Sequence, residues 1–522
     1  MVNYIGLSFL VIAVTVFIVY SFSNGGIRRD AKKSVNLSIG PGGDIPFPRK
    51  IVHLDLKGAP PKISYFQWFF PFLASLGFGG LLIEYEDMFP YSGRLENISR
   101  HRGHYSIADI EQINKLAESS SLEIIPLVQT FGHMEFVLKQ PEFSELRENL
   151  FEASHDYLEI MSNKKSPHIP MELSFRSDDS ICVSDPSSID LIREMIRQVK
   201  HVHPKTRRIH IGSDEVYHVG EDARCRREII NLGKEPRRAL EKLKIRHIAR
   251  VARLCREMNF TEVFAWNDMF DKTEIEDLRD MELGSLITPV VWGYASNVLK
   301  EGYFPEGLFH RLGQVFDRIW FASAFKGANG KEQAFMSIDR YLQNHKSYVE
   351  LYKTFSKDLE GKVQGIILTG WQRFKHRLPL SELLPVAIPS LVLNSVYLDN
   401  VRRPFKEINR ATKNHLGCSR ASLETVFAPT IIGNHTYFPE KDTLFTECSF
   451  RDQNLYKLVM KDLRFLTWKF NNFSMDVRLR RALQDELLSL TLKMETVLSS
   501  YYGRTDVDEI LAQYLGPLKQ LL

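Results

Sequence analysis

The chain has 522 residues, of which 44% are hydrophobic and 25% are charged, and its formal net charge is +4. These values are ordinary for a globular protein, and the length allows a large folded domain plus an extension. The small net charge and the lack of nucleotide-binding, phosphate-binding or zinc-type motifs argue against a nucleic-acid partner.

The first 23 residues predict a signal anchor or a signal peptide. Residues 4–22 carry no charge and are mostly Leu, Val, Ile or Phe, which is close to the ~20 residues needed to span a bilayer. Cleavage after the Ser-Phe-Ser of residues 21–23 is the alternative. Basic residues follow the segment and none precedes it, which the positive-inside rule does not favour for an anchor with a lumenal domain.

Five Asn-x-Ser/Thr sequons favour the secretory pathway, where they accept glycans. We expect a Golgi membrane protein with a lumenal globular domain, or alternatively a secreted or lysosomal protein. The five cysteines are widely spaced, so they allow at most two disulfide bonds and leave one thiol free. The sequons begin at Asn36, Asn97, Asn259, Asn434 and Asn472.

Residues 24–49 are rich in Gly, Pro, Ser and basic residues, which predicts a flexible stem. From about residue 50, short apolar runs alternate with stretches of helical period such as residues 107–119 and 189–199. Eight such repeats predict an α/β fold, a (β/α)8 TIM barrel over residues 50–400, with a doubly wound open sheet as the alternative. The runs are residues 51–56, 80–85, 122–128, 208–211, 263–266, 289–292, 319–322 and 365–369.

Beyond residue 400 the strand pattern fades. Apolar residues then recur at spacings of three and four, which indicates an amphipathic helix. We interpret residues 401–522 as a helical C-terminal extension whose apolar stripe packs against the barrel. The stripe contains Leu479, Leu483, Leu487, Leu490, Met494 and Val497.

Acidic and aromatic residues gather where the predicted strands end, and this is the edge at which (β/α)8 barrels carry their reactive groups. Residues 210–216, His-Ile-Gly-Ser-Asp-Glu-Val, place Asp214 and Glu215 directly after a buried strand. Taken singly, Asp214 could cap a helix and a tryptophan could be packing. Their occurrence together at successive strand ends favours a site. The other candidates are Asp55, Lys57, His133, Trp266, Asp268, Trp292, Tyr294, Trp371 and Arg373.

Indole rings beside carboxylates suit the apolar faces and the hydroxyls of sugars, so we predict a carbohydrate pocket. The paired carboxylates of most glycosidases lie on opposite sides of the scissile bond. Asp214 and Glu215 are sequence neighbours and are poorly placed to straddle a sugar ring. One of them could protonate the leaving oxygen while the other steers a substrate group that attacks, such as a 2-acetamido carbonyl.

Residues 210–216 resemble the His-x-Gly-Gly-Asp-Glu-Val motif of glycoside hydrolase family 20, the β-N-acetylhexosaminidases, and in particular its hexosaminidase D-like subgroup. Residues 130–133, Thr-Phe-Gly-His, are similar to the family's Thr-Pro-Gly-His, and residues 266–268 are similar to its Trp-x-acid. Trp371 falls where the family has a tryptophan followed by Gly-Glu. The resemblance covers roughly residues 50–400.

The resemblance implies an exo-acting, retaining β-N-acetylhexosaminidase that uses substrate-assisted catalysis on terminal β-linked GlcNAc or GalNAc. Glu215 would be the general acid and base, and Asp214 would orient the 2-acetamido group. His133 would support the hydrogen bonds of the acid. Three indoles would wall the sugar and Tyr294 would donate a hydrogen bond, while no metal or organic cofactor is implied. The indoles are Trp266, Trp292 and Trp371, and the remaining substrate-binding candidates are Asp55, Lys57, Asp268 and Arg373.

The chain departs from the family pattern at several positions. The strand-one arginine is absent and Lys57 is the nearest cation; Phe325 stands where a tyrosine is expected, and Gln372 and Arg373 replace the Gly-Glu after Trp371. A non-catalytic glycan-binding barrel and a chitinase-type endo-enzyme are the alternative functions.

Overall fold

The computed structural model describes residues 38–100, 103–148, 178–233, 235–419, 424–426, 430–432, 435–437, 442–472 and 477–522. The predicted N-terminal apolar segment and residues 24–37 of the predicted stem lie outside this set. Within it, the search for an apolar helix long enough to cross a bilayer finds none. Residues 39–522 form one compact unit.

Eight parallel strands close into a barrel in sequence order, with β8 paired to β1. This confirms the predicted (β/α)8 fold and excludes the open sheet. The strands are β1 (Lys50–Asp55), β2 (Gly80–Glu84), β3 (Glu123–Leu127), β4 (Arg208–His210), β5 (Glu262–Trp266), β6 (Thr288–Trp292), β7 (Ile319–Lys326) and β8 (Val363–Gly370).

Strands of a parallel barrel are buried on both faces, so their sequences are nearly continuous apolar runs without a polar side. All six residues of β1 and all eight of β7 are buried. The side chains that point inward form a separate apolar cluster, which includes Phe264, Trp266 and Trp320. The barrel interior is therefore a packed core, and a cavity can open only at its rim.

Helices separate the strands and cover the outside of the barrel. The helix after β2 begins where its sequence predicts, because Ser106 and Asp109 form a capping box. The helices between residues 50 and 400 are Ile63–Ser75, Ile107–Ser119, Glu135–Leu138, Pro186–Val202, Ala223–Leu232, Pro236–Glu257, Ile275–Asp280, Leu283–Leu286, Leu308–Val315, Ile338–Thr354, Ser356–Leu359 and Ile388–Asp399.

The C-terminal extension packs on the barrel. The predicted stripe faces the core: Leu483, Leu487, Leu490 and Met494 are buried. The Tyr65 hydroxyl of the first barrel helix donates to Asp452 at 2.9 Å. The helices are Phe405–His415, Gln453–Lys457, Arg464–Asn472, Val477–Leu498 and Arg504–Gln520, with a π-helical turn at Leu458–Leu463.

The structure differs from two sequence predictions, for the C-terminal extension and for the stem. The extension is not wholly helical, because it contains the short strands Glu424–Val426, Thr430–Ile432, His435–Tyr437 and Asp442–Leu444, which pair as two antiparallel ribbons. The predicted flexible stem also extends too far along the chain. Phe47 is buried and stacks on Tyr352, and the Val401 amide donates to the Asp44 carbonyl at 2.9 Å, so residues 39–49 belong to the compact unit.

Candidate active site

The turn after β4 carries both acids in an unusual backbone conformation. Gly212, Ser213 and Glu215 have φ angles of 64°, 73° and 50°, all in the left-handed region. A Cβ at Gly212 would lie 1.9 Å from Gln129 Oε1, so a side chain at position 212 would have to displace the Gln129 side chain. Non-glycine residues in this region cost free energy and concentrate at functional sites. The turn aims two consecutive carboxylates at the barrel mouth.

A second turn, after β3, packs directly against the first. A Cβ at Gly132 would lie 2.0 Å from the carbonyl oxygen of Asp214, so only glycine permits this approach. The Thr130 hydroxyl donates to the Ile211 carbonyl at 2.7 Å and joins the two turns. His133 follows with a φ of 51°. The Thr-Phe-Gly-His and Asp-Glu motifs are therefore one structural unit.

His133 lies between the two acids. Its Nε2 is 3.4 Å from Asp214 Oδ2 and 3.2 Å from Glu215 Oε2. Burial lowers the pKa of His133, but the charge of Asp214 and contacts with both carboxylates outweigh it and raise the pKa well above its usual value. Burial raises the pKa of Glu215, whereas the contact with His133 lowers it below its usual value. These two shifts favour a protonated His133 beside an ionised Glu215 near neutral pH.

Asp268 ties this unit to the next strand ends. One carboxylate oxygen accepts from the Glu215 amide at 2.8 Å and the other from Trp292 Nε1 at 3.0 Å. Burial, together with the charge of Asp214, raises the pKa of Asp268 to about 8. Asp268 holds the catalytic turn and an aromatic wall in one arrangement.

The acids open into a cavity with an aromatic wall. Trp292 stacks on Tyr294 with ring centroids 5.3 Å apart, and Tyr294 meets Trp371 edge to face at 6.1 Å. Burial raises the pKa of Tyr294 well above its usual value, so its hydroxyl remains a neutral donor. Eight of the predicted site residues line this cavity, namely Lys57, His133, Asp214, Glu215, Trp292, Tyr294, Trp371 and Arg373.

Lys57 forms the polar end of the cavity. Its Nζ lies 3.2 Å from Asp55 Oδ2 and 3.1 Å from Glu86 Oε1, and 5.5 Å from the centre of the Trp371 ring. Burial lowers the pKa of Lys57, but the charges of Asp55, Glu84 and Glu86 raise it well above its usual value. A permanently charged donor therefore stands where sugar hydroxyls can be bound.

Three predicted site residues lie behind the cavity rather than in its lining. Trp266 is fully buried inside the barrel, with its ring 4.3 Å from His210 and 6.0 Å from Trp371, and it is not among the residues that line the cavity, so its contact with the sugar stays a prediction. Asp55 pairs with Lys57 and accepts a hydrogen bond from the backbone amide of Gln372 at 2.7 Å, so it positions two residues next to the cavity. Asp268 likewise supports the site from behind.

Arg373 lines the cavity, but its guanidinium is engaged elsewhere. It donates to the Leu378 carbonyl at 2.6 Å and to Glu509 of the C-terminal helix at 2.5 Å. Phe325 is also not a wall residue, because β7 runs to Lys326 and buries it. Four further residues line the cavity, and the only signal for them in the sequence is the glycine-rich composition of a turn: Gly327, Ala328, Gly330 and Phe374.

Two clusters in the described part of the chain have spacings that suit a metal ion, but neither contributes a residue to the cavity lining. One is Glu148 with Cys182 and Cys225, and the other is Glu86 with Asp87 and His376. Elsewhere, Cys418 and Cys448 form a disulfide bond, while Cys182, Cys225 and Cys255 are free and buried.

The barrel and its cavity, with neighbouring acids beside aromatic rings, suit acid–base chemistry on a sugar. Fold and site together therefore define a glycoside hydrolase. The family model "Glycosyl hydrolase family 20, catalytic domain" matches residues 84–303. Hexosaminidase D of Homo sapiens is 39% identical over 386 residues, which is 73% of this chain and 71% of that protein. Hexosaminidase D of Bos taurus is 38% identical over 367 residues, 68% of this chain and 94% of the relative.

The chain belongs to glycosyl hydrolase family 20 and is an enzyme of the β-N-acetylhexosaminidase type. The chitobiase of Flavobacterium johnsoniae has a similar fold, with a TM-score of 0.50 at 12% identity over 91% of this chain and 72% of that one. The non-catalytic alternative is set aside by the family assignment.

The proton on His133 generates a testable pH dependence. With His133→Gln, the contact that lowers the pKa of Glu215 is lost, and Glu215 must hold the proton alone, without the imidazole whose pKa lies well above its usual value. We expect the alkaline limb of kcat/KM to move down towards acid pH, with a loss of at least ~10-fold at pH 7. Profiles from pH 4 to 9 on a neutral aryl glycoside measure this, with the exposed His415→Gln as control. An unchanged alkaline limb would contradict the role of His133.

Proposed function

We propose that the protein is an exo-acting, retaining β-N-acetylhexosaminidase that removes terminal β-linked GlcNAc or GalNAc from glycans or glycoconjugates by substrate-assisted catalysis. Glu215 is the acid and base, and Asp214 orients the 2-acetamido group. The observation that carries the proposal is the position of both carboxylates within 3.4 Å of one nitrogen of His133.

The arrangement favours a nucleophile supplied by the substrate. A retaining enzyme with its own carboxylate nucleophile needs a second acid on the far side of the sugar, ~5–5.5 Å from the first. Asp214 and Glu215 instead converge on the same imidazole, and the described lining of the cavity contains no other carboxylate. The acetamido carbonyl oxygen of the sugar can act instead as the nucleophile that attacks the anomeric carbon.

The proton and electron pairs balance in two steps. Glu215, reloaded from His133, protonates the glycosidic oxygen while the C1–O bond breaks and the acetamido oxygen bonds to C1. Asp214 accepts a hydrogen bond from the acetamido N–H and stabilises the positive charge of the oxazolinium ring. In the second step Glu215 removes a proton from water, the water oxygen bonds to C1, and the C1–O bond to the acetamide breaks. Two inversions retain the β configuration.

A buried lysine in the lining of the cavity supports exo action. Lys57, paired with Asp55 and Glu86, provides a buried cationic donor in the cavity that Glu215 also lines. A terminal sugar offers free hydroxyls to such a donor, whereas an internal sugar would need an exit for the next residue of the chain. Trp292 and Trp371 offer apolar faces to the ring and the acetamido methyl group.

Glu215→Gln tests the central role. Glutamine preserves the shape but cannot deliver a proton, and loss of a general acid typically costs ~10²–10⁴-fold in rate. We expect that loss in kcat/KM on β-HexNAc substrates whose leaving group is a sugar, with unchanged thermal unfolding. The matched control is the exposed Glu301→Gln, which should keep full activity. Near wild-type turnover by Glu215→Gln would refute the assignment.

We also propose that the enzyme resides in the secretory pathway, with a Golgi membrane anchor as the first choice and a secreted or lysosomal form as the second. Support comes from the disulfide between Cys418 and Cys448 and from the exposed sequon residues Asn97 and Asn259.

Enzymatic removal of N-glycans from the full chain expressed in mammalian cells tests this placement. We expect a decrease in mass, made smaller by Asn97→Gln or Asn259→Gln, and resistance of the protein to alkaline extraction from membranes if the anchor is retained. A chain whose mass does not change on deglycosylation would contradict the compartment.

A further inference from the structure

Two lysines at the rim of the cavity, Lys331 and Lys375, lie over aromatic rings, whereas other cations around the rim form salt bridges. In the basic segment 373–377, Arg373 pairs with Glu509 at 2.5 Å, His376 with Glu86 at 2.7 Å, and Arg377 with Asp178. Lys375, in contrast, forms no salt bridge with a carboxylate in the described part of the chain. Its Nζ lies over the ring of Tyr217, 5.5 Å from the centroid.

Lys331 repeats this arrangement on the facing loop after β7. Its Nζ lies over the ring of Phe374, 5.3 Å from the centroid, and it too forms no salt bridge with a carboxylate among the described residues. Both rings are exposed to an unusual degree, Tyr217 by 59% and Phe374 by 44%. Two aromatic faces therefore stand at the mouth of the cavity, each with an ammonium group that forms no salt bridge among the described residues.

The position of these groups relative to Glu215 identifies what they can touch. Tyr217 is a hydrogen-bond partner of Glu215, and the positive charge of Lys375 acts on the same carboxylate. The general acid faces the glycosidic oxygen, so its neighbours at the rim face the leaving group. Phe374 lines the cavity itself and continues this surface.

We propose that Tyr217, Phe374, Lys331 and Lys375 form a leaving-group subsite for an anionic sugar, one that carries a carboxylate or a sulfate ester. The rings support the apolar face of the second sugar and the two ammonium groups pair with its negative charge. This specificity rests on the proposed hexosaminidase function and adds the substrate class: HexNAc linked to a uronic acid or to a sulfated sugar.

The physical reason is the imbalance of charge. A lysine that is already paired gains little from a ligand anion, because a carboxylate must first be displaced. Lys331 and Lys375 lie on aromatic faces, which leave the ammonium N–H groups free for an anion. The interaction is partly exposed, so it is screened by salt over a distance of ~10 Å at 0.1 M ionic strength.

The test compares leaving groups within each variant. We would measure kcat/KM for β-HexNAc linked to glucose, to glucuronic acid and to a sulfated glucose, with a neutral aryl β-HexNAc as reference. For the wild type we expect at least ~10-fold preference for an anionic leaving group over glucose, mainly through KM and reduced by 0.5 M salt. Comparison of kcat/KM for the glucuronic acid substrate with kcat/KM for the sulfated substrate identifies which anion is preferred.

Lys375→Gln and the double variant Lys331→Gln/Lys375→Gln should reduce this preference about tenfold, and Lys375→Arg should restore it. The matched control is Lys346→Gln, because Lys346 lies 5.7 Å over exposed Phe405, away from the cavity lining.

A wild-type preference near one, or a preference that survives in the double variant, overturns the subsite while leaving the hexosaminidase function intact. Absence of turnover on every β-HexNAc substrate, the neutral aryl glycoside included, overturns the proposed function and the subsite with it.

Discussion

The close contact between the turns after β3 and β4 is the constraint on which the site depends. Gly132 allows the Asp214 carbonyl to approach to a distance that any side chain would block, and Gly212 does the same beside Gln129. The residues around them adopt strained left-handed conformations. Hydrogen bonds from Thr130 to the Ile211 carbonyl and from the Glu215 amide to Asp268 hold these conformations in place. Two consecutive acids and one histidine are thereby forced to share a few ångströms of space.

That crowding determines the electrostatics. The charge of Asp214 and the contacts with both carboxylates raise the pKa of His133 well above its usual value, because a positive charge on the imidazole is stabilised by both neighbours. Burial around Asp268 adds a further acid that resists ionisation. In the proposed mechanism this cluster supplies the proton for glycoside cleavage, and Asp214 orients the acetamido group of the substrate.

The sequence predicts the strand ends well, because buried parallel strands are continuous apolar runs and their reactive residues follow directly. It does not predict which strand-end rings enter the cavity. Trp266 is the last residue of β5 and points into the barrel, while β7 is four residues longer than predicted and buries Phe325. The pairing of Arg373 with Glu509 joins residues 136 positions apart. No local pattern encodes such a contact, nor the rim formed by Phe374, Lys375 and the loop after β7.

The central claim is that the acetamide of the substrate is the nucleophile and that Asp214 and Glu215 serve it. It is tested most directly by aryl β-glycosides whose acetyl methyl group carries zero to three fluorines. Fluorine withdraws electrons from the carbonyl oxygen, so participation of that oxygen requires kcat/KM to fall steeply with each fluorine. A kcat/KM that is independent of fluorine number would mean that the attacking group comes from the protein or from water, and the account would be wrong.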